Sequence, residues 1–471
     1  MNISNLTDSA ESFNALGPTS VGYRLIIRRL ANNSFWLLFG SAVSQGLMLL
    51  VMVYIGRKLG PANLGRFGMI QMTVNLLGSL AGVSLGLTSA KHVAEYRSTD
   101  SERAGRMIGL ATLVAVGAGF VLSAVLVLGA PLLARITLHS PEMAGLLRIG
   151  ALWVFFIVLN AEQVGVLSGL EDFRTLAKIN VIRGLLTLLC AGAGVIGGGV
   201  YGAVLGFCVA ACLQCVVTAY YVHTMCHRNG IRTVYLSSEH EFGVITGFSL
   251  PSFLGSIVAL PITWIASAVL VNQLNGYKYM GLFNAATHWR GVVVFLPTGL
   301  AQVGLPVLAN FFGIRDKRAY RKAFFTLFGG LTVSAGCIAA ILCAGVGILV
   351  RLYGAGYTEA KPVFVLVIVT AVISSIDYAL ALALSSLGKM WQLTGLTMMW
   401  ALLSIGLALW WIPPYKTIGI AVAFLVAYAV EVPIRSWYVY RVIAHHSART
   451  GGTGDLSLGN ELPDEMLSQS S

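Results

Sequence analysis

The sequence is short of charge. Only 11% of its 471 residues are Asp, Glu, Lys or Arg, against about 25% in soluble domains. With 56% hydrophobic residues and a mean hydropathy of +0.79, a water-soluble globule is excluded and a polytopic membrane protein is indicated. No Gly-x-x-x-x-Gly-Lys-Ser/Thr segment is present, so the chain does not bind ATP through a phosphate loop. Cysteine is scarce as well. The seven thiols lie mostly inside apolar runs, where they act as small apolar side chains rather than a disulfide framework. Cys208, Cys212 and Cys215 share one helical face and are read as packing. His223 and His227 have helical metal-ligand spacing but sit at a membrane edge, so no metal or other cofactor is expected. Large polar loops with acidic clusters, typical of membrane glycosyltransferases and polymerases, are missing, and no enzymatic chemistry is expected. The first stretch is polar and the first long apolar run is too long for a signal core, so no cleavable signal peptide is expected.

Acidic residues are fewer than basic ones, 19 against 31, for a net charge of +12. The basic residues sit in short loops between apolar runs, which is a membrane-topology signal and not a nucleic-acid surface. Apolar runs long enough to cross a bilayer predict twelve spans. These are about 34–56, 64–90, 107–130, 146–170, 177–198, 201–223, 242–271, 276–313, 324–350, 361–387, 391–412 and 417–441. The expected organisation is a cytoplasmic tail over 1–33 with a basic amphipathic end (Arg24, Arg28, Arg29) and a six-helix lobe over 34–223. A cytoplasmic linker over 224–241, a second six-helix lobe over 242–441 and a disordered cytoplasmic tail over 442–471 follow. An even number of spans puts both termini on one side. With both inside, about 19 Lys and Arg fall in inner segments and about 8 in outer ones, as the positive-inside rule requires.

The two halves read as copies. Ala134-Arg135 matches Val350-Arg351, Leu167-Ser168-Gly169-Leu170 matches Leu384-Ser385-Ser386-Leu387, and Tyr201-Gly202-Ala203-Val204 matches Ile418-Gly419-Ile420-Ala421. All are offset by about 216 residues, and a constant offset is what a duplication leaves. The predicted fold class is therefore all-α, about twelve transmembrane helices in two pseudo-symmetric six-helix lobes. An even number of spans per copy keeps both copies in one orientation, with the pseudo-twofold along the membrane normal and the substrate site between halves.

Charge inside the spans marks the candidate site. Arg290 lies in span 8, about 15 Å into a helix starting near Met280. A cation at that depth costs several kcal/mol unless it meets water, a counter-charge or an anionic ligand. Its two readings are a cavity cation and a structural ion pair. His288 is an additional donor nearby. Arg183 in span 5 either snorkels to headgroups or lines the cavity. Glu162 in span 4 and Asp377 in span 10 fall at nearly equal depth, in near-equivalent places of the two copies. They are candidates for ion coupling or for balancing cavity cations. Glu431 and Arg435 in span 12 are one helical turn apart; they can pair with each other as a structural salt bridge, or join Glu162 and Asp377 as ion-coupling or cavity charge.

Several segments resemble bacterial polysaccharide flippases of the multidrug/oligosaccharidyl-lipid/polysaccharide exporter superfamily. Leu59-Gly-Pro-Ala-Asn-Leu-Gly-Arg-Phe-Gly resembles their Leu-Gly-Pro-x-x-Tyr/Phe-Gly-x-Phe segment. Phe248-Ser249-Leu250-Pro251 resembles their Phe-x-x-Pro, and Gly281-Leu-Phe-Asn-Ala-Ala their Gly-x-Tyr-x-x-Ala. Pro306 falls where they carry a late proline. The resemblance implies a V-shaped pair of lobes around a cationic cavity. It also implies transport of an undecaprenyl-diphosphate-linked oligosaccharide across the bacterial cytoplasmic membrane by alternating access, with Arg290 as a diphosphate contact. The implied partners are the lipid-linked glycan, membrane lipid, and polysaccharide polymerase and chain-length proteins. Two alternatives stay open, an ion-coupled multidrug antiporter and a major-facilitator-type transporter. Multidrug exporters of the superfamily carry an acid on the first helix, where this chain offers Ser41, Ser44 and Gln45. The major-facilitator signature is matched only in part, by Glu102-Arg103-Ala104-Gly105-Arg106.

Overall fold

The computed structural model describes residues 20–234, 260–314 and 316–448, and every regular element among them is helical. In chain order the helices are α1 (Ser20–Tyr96), α2 (Ser101–Leu132), α3 (Met143–Gly169), α4 (Phe173–Arg228) and α5 (Leu260–Val271). They continue as α6 (Gly276–Gly313), α7 (Lys317–Ala344), α8 (Val346–Tyr353), α9 (Lys361–Ser386) and α10 (Met390–Ala448). Eight helices are long and apolar enough to cross a membrane, and α5 is a shorter apolar piece. Three of the eight are two spans joined at a break. The breaks are Gly60 (φ 75°) in α1, Gly198–Gly199 (φ 57° at Gly199) in α4 and Lys416 (φ 50°) in α10. Counting both halves of each broken helix, and α5 as the described part of span 7, gives the twelve spans expected. The tail before Ser20, the linker beyond Val234, the first part of span 7 with Pro251, and the tail beyond Ala448 lie outside the described residues.

Local chemistry explains the ends. Asp100, Asp172 and Asp316 cap the starts of α2, α4 and α7 by accepting from the backbone N–H groups of Arg103 (2.9 Å), Thr175 (3.1 Å) and Ala319 (2.9 Å). Asp100 and Asp316 are separated by the repeat offset, so the same cap serves both halves. Large apolar side chains such as Phe120, Leu128, Ile196, Ile341 and Leu402 are exposed around the bundle, as lipid contact requires.

The duplication is visible in the contacts. A Cβ at Gly65 would collide with the carbonyl of Tyr277, and one at Gly281 with the carbonyl of Pro61. Gly281 is the repeat counterpart of Gly65, and Tyr277 that of Pro61. Spans 2 and 8 therefore cross through the same patch used twice, as at a twofold interface. Gly68 packs against Asn284, its own counterpart, which puts that pair on the pseudo-twofold. The same exchange recurs further out. Gly56 lies under the ring of Tyr353, and its counterpart Asn272 donates to the carbonyl of Thr137, the counterpart of Tyr353, at 2.9 Å. Tyr277 donates to the carbonyl of Leu138 (3.0 Å) and Tyr357 to that of Gly56 (3.1 Å). All these contacts join the first six spans to the last six at the end of the bundle opposite the termini.

Candidate functional site

Each half of the molecule encloses its own cavity, and the two occupy corresponding places. The first, about 480 Å³, is walled by spans 1, 2, 4, 5 and 6 and contains Arg183. The second, about 230 Å³, is walled by spans 7, 8, 10, 11 and 12 and contains Arg290. Correspondence follows from the aromatic clusters on their walls. In the first half Phe207 packs on Phe67 (centroids 5.1 Å) and on Trp153 (4.9 Å). In the second half Phe424 and Phe283 are the repeat counterparts of Phe207 and Phe67, and they stack at 6.4 Å. The cavities differ in size because of what fills them. Trp400 and Tyr428 stand in the second where the first has Arg183 and Ala211.

Arg183 is exposed to the space of its cavity, and Arg290 is half-buried. Arg183 donates to Ser44 Oγ (3.3 Å) and Arg290 to Ser374 Oγ (3.3 Å). Neither joins an ion pair among the described residues. A hydroxyl is a weak answer to a guanidinium with five N–H donors, so each keeps donors for an anion or for water. His288 lines neither cavity. Its Nε2 is buried without a hydrogen-bond partner inside span 8.

The acidic residues gather elsewhere. Arg435 pairs with Asp377 Oδ1 across to span 10 at 2.6 Å and with Glu431 Oε1 on its own helix. It also donates to Thr397 Oγ1 (3.2 Å). Arg435 and Glu431 are almost wholly buried, at 2% and 1% exposure. The sequence spacing predicts the Glu431–Arg435 pair; the third member, Asp377, comes from another helix and needs the tertiary fold. Glu162 is equally buried and, among the described residues, accepts only from Thr112 Oγ1 (3.3 Å) of span 3. Equal depth along the two helices therefore does not make Glu162 the counterpart of Asp377, because the two side chains leave their helices towards different neighbours. The repeat aligns Asp377 with Asn160, and the bonding of Asn160 supports that match. Gln214 donates to Asn160 Oδ1 (3.0 Å) and Asn160 to Thr218 Oγ1 (3.1 Å). Gln214 and Thr218 are themselves the repeat counterparts of Glu431 and Arg435. One half bridges spans 4 and 6 with a neutral network; the other bridges spans 10 and 12 with a charged one.

Sequence reasoning missed Gln71, Asn75 and Gln214, which line the first cavity. Their signal was present, since carboxamides are uncommon within apolar spans, but a neutral amide is a weaker mark of a pathway than an intramembrane charge.

Two halves of six spans, related by the repeat and each holding a cavity, make up the described architecture. An inward-facing multidrug resistance MATE family transporter of the MOP superfamily superposes with a TM-score of 0.73 at 14% identity, over 88% of this chain and 99% of that one. The two proteins share a fold. The family model described as "Polysaccharide biosynthesis protein" matches residues 30–312, and the chain belongs to that family, the one whose motif order the sequence resembles. It is similar to the "EPS I polysaccharide export inner membrane protein EpsE" of Ralstonia nicotianae, with 25% identity over 362 residues, 75% of this chain and 80% of the relative. It is also similar to the "Lipid III flippase" of Escherichia coli, with 24% identity over 297 residues, 61% of this chain and 69% of the relative. These relatives are transport proteins, and the chain is a multi-pass membrane protein of the polysaccharide flippase family.

Proposed function

We propose that the protein carries an undecaprenyl-diphosphate-linked oligosaccharide across the bacterial inner membrane by alternating access. The observation that carries this reading is the pair of arginines, one in each lobe cavity, neither matched by a carboxylate. A guanidinium presents a planar fork that fits phosphate oxygens, and its deep placement is tolerated where an anion completes it. Export of cationic drugs calls for the opposite polarity, yet among the described residues no Asp or Glu lines either cavity. Arg290 is assigned to the diphosphate, and Arg183 to an anionic group of the same substrate. Asp377, Glu431 and Arg435 are assigned to ion coupling, with Glu162 as a further buried acid. The lobes are taken as 34–223 and 242–441, both termini as cytoplasmic, and polymerase and chain-length proteins as downstream partners.

The test is translocation of a labelled undecaprenyl-diphosphate glycan by the full chain in reconstituted vesicles. Losing a charge-assisted hydrogen bond costs about 1.5–3 kcal/mol, so Arg290→Ala is expected to slow transport about ten- to a hundredfold. Arg290→Lys is expected to recover part of the rate. Wild-type vesicles that leave the glycan in place refute the substrate assignment. An Arg290→Ala protein as fast as wild type refutes the role of Arg290.

A further inference from the structure

The first-lobe cavity holds more polarity than a diphosphate contact requires. We infer that it is a sugar-recognition subsite, in which carboxamides and aromatic faces read the glycan attached to the lipid. This inference rests on the transport reading above and names which part of the substrate each lobe takes.

Five carboxamide side chains line this cavity: Gln45, Gln71, Asn75, Asn160 and Gln214. Asn160 and Gln214 hold each other, and Asn160 holds Thr218. Gln45, Gln71 and Asn75 make no side-chain hydrogen bond to the described residues. They come from spans 1 and 2, facing Asn160 and Gln214 from spans 4 and 6 across the space. Polar groups held in an apolar bundle without partners cost free energy unless water or a ligand satisfies them. A carboxamide both donates and accepts, as does a sugar hydroxyl, so a ring of carboxamides matches a ring of hydroxyls. Trp153, Phe156 and Phe207 add aromatic walls, and aromatic faces pack on the C–H face of a pyranose. At about 480 Å³ the space falls in the range of small-molecule sites.

The duplicated half supplies the control. In the second lobe no carboxamide among the described residues lines the corresponding place, and Trp400 and Tyr428 shrink it to about 230 Å³. Gln71 corresponds to Thr287, Ala211 to Tyr428 and Arg183 to Trp400. The scaffold is therefore stable with this space filled by aromatic rings. The opening and the amides of Gln45, Gln71 and Asn75, which bridge no helices, are not needed to build a lobe, which leaves ligand binding as their use. Gln45 also reaches span 8, where a Cβ on Gly291 would approach its Nε2 to 2.7 Å, so the amide wall borders the helix that carries Arg290. A substrate with its diphosphate at Arg290 has its first sugars on that side. Arg183, among the amides, takes an anionic group, either a carboxylate on the sugar or the diphosphate itself.

The test uses purified full-length protein and three probes: bare undecaprenyl diphosphate, the same lipid bearing one hexose, and the same lipid bearing one hexuronic acid. Binding is followed by thermal shift and by isothermal titration. Wild type is expected to bind at least one glycosylated probe about tenfold or more tighter than the bare lipid. Gln71→Ala with Asn75→Ala, and separately Ala211→Tyr, are expected to remove that gain while leaving bare-lipid affinity in place. Arg183→Ala selectively weakens the hexuronic acid probe if a sugar carboxylate is its partner, and weakens all three if the diphosphate is. Glycosylated probes binding no tighter than the bare lipid overturn the inference, as does a gain that survives both cavity variants. Failure of the transport reading has a separate signature, the absence of bare-lipid binding or its indifference to Arg290→Ala.

Discussion

Asn160, Gln214 and Thr218 do with neutral groups what Asp377, Glu431 and Arg435 do with three charges. Both networks tie together the corresponding pair of helices at the same depth of a duplicated scaffold. Charge is therefore not required to hold these helices, and a buried ion pair is weak support for stability in any case. Arg435→Ala is expected to be costly, about 3–5 kcal/mol, because it strands two buried carboxylates. The combined variant Asp377→Asn, Glu431→Gln, Arg435→Thr copies the first-lobe network and is expected to keep nearly wild-type thermal stability in detergent. The same triple variant is expected to lose the dependence of glycan transport on an imposed proton or sodium gradient. A triple variant less stable than Arg435→Ala alone shows that the charges are structural. Gradient dependence retained in the triple variant removes this cluster from coupling.

At the scale of helices, spans 2 and 8 cross closely because glycines face carbonyls at Gly65 and Gly281. Backbones that approach this closely gain packing contacts that larger residues forbid. The crossing lies at the end opposite the termini, alongside the Asn272–Thr137 and Tyr277–Leu138 hydrogen bonds. Any motion that opens that end must part these contacts. Gly281→Leu places a side chain into the carbonyl of Pro61 and is expected to shift the population towards an open form there. Spin labels at Leu274 and Glu142, both exposed, report this in a background freed of the seven native cysteines. The expected result is a longer mean distance in Gly281→Leu than in the parent. An unchanged distance distribution shows that the crossing does not gate this end.

At the scale of the whole molecule, orientation follows from where the basic residues fall. The connection after span 8 leads into Lys317, Arg318, Arg321 and Lys322 at the start of α7, the densest basic stretch of the chain. Such a cluster resists translocation and is expected inside. An alkaline-phosphatase fusion after Gly313 is expected to be inactive and one after Gly60 active, since that enzyme works only outside the cytoplasm. The reverse pattern places the termini outside and reverses the direction of the proposed transport.

The amino-acid sequence by itself determined the membrane class, the twelve spans, the twofold repeat and the arginines that stand out within apolar helices. Those features are local: length, hydropathy, a constant offset and charge can be read one segment at a time. The i, i+4 spacing likewise made Glu431–Arg435 legible, because a single helix brings those side chains together. Only the tertiary structure decided that Asp377 completes that pair and that Glu162 turns instead to Thr112. It alone placed Arg183 and Arg290 in separate cavities and His288 in neither. Helix rotation about its own axis sets which way a side chain points, and packing against neighbouring spans sets that rotation. Carboxamides scattered over spans 1, 2, 4 and 6 become one cavity wall only after four helices have chosen their facing sides.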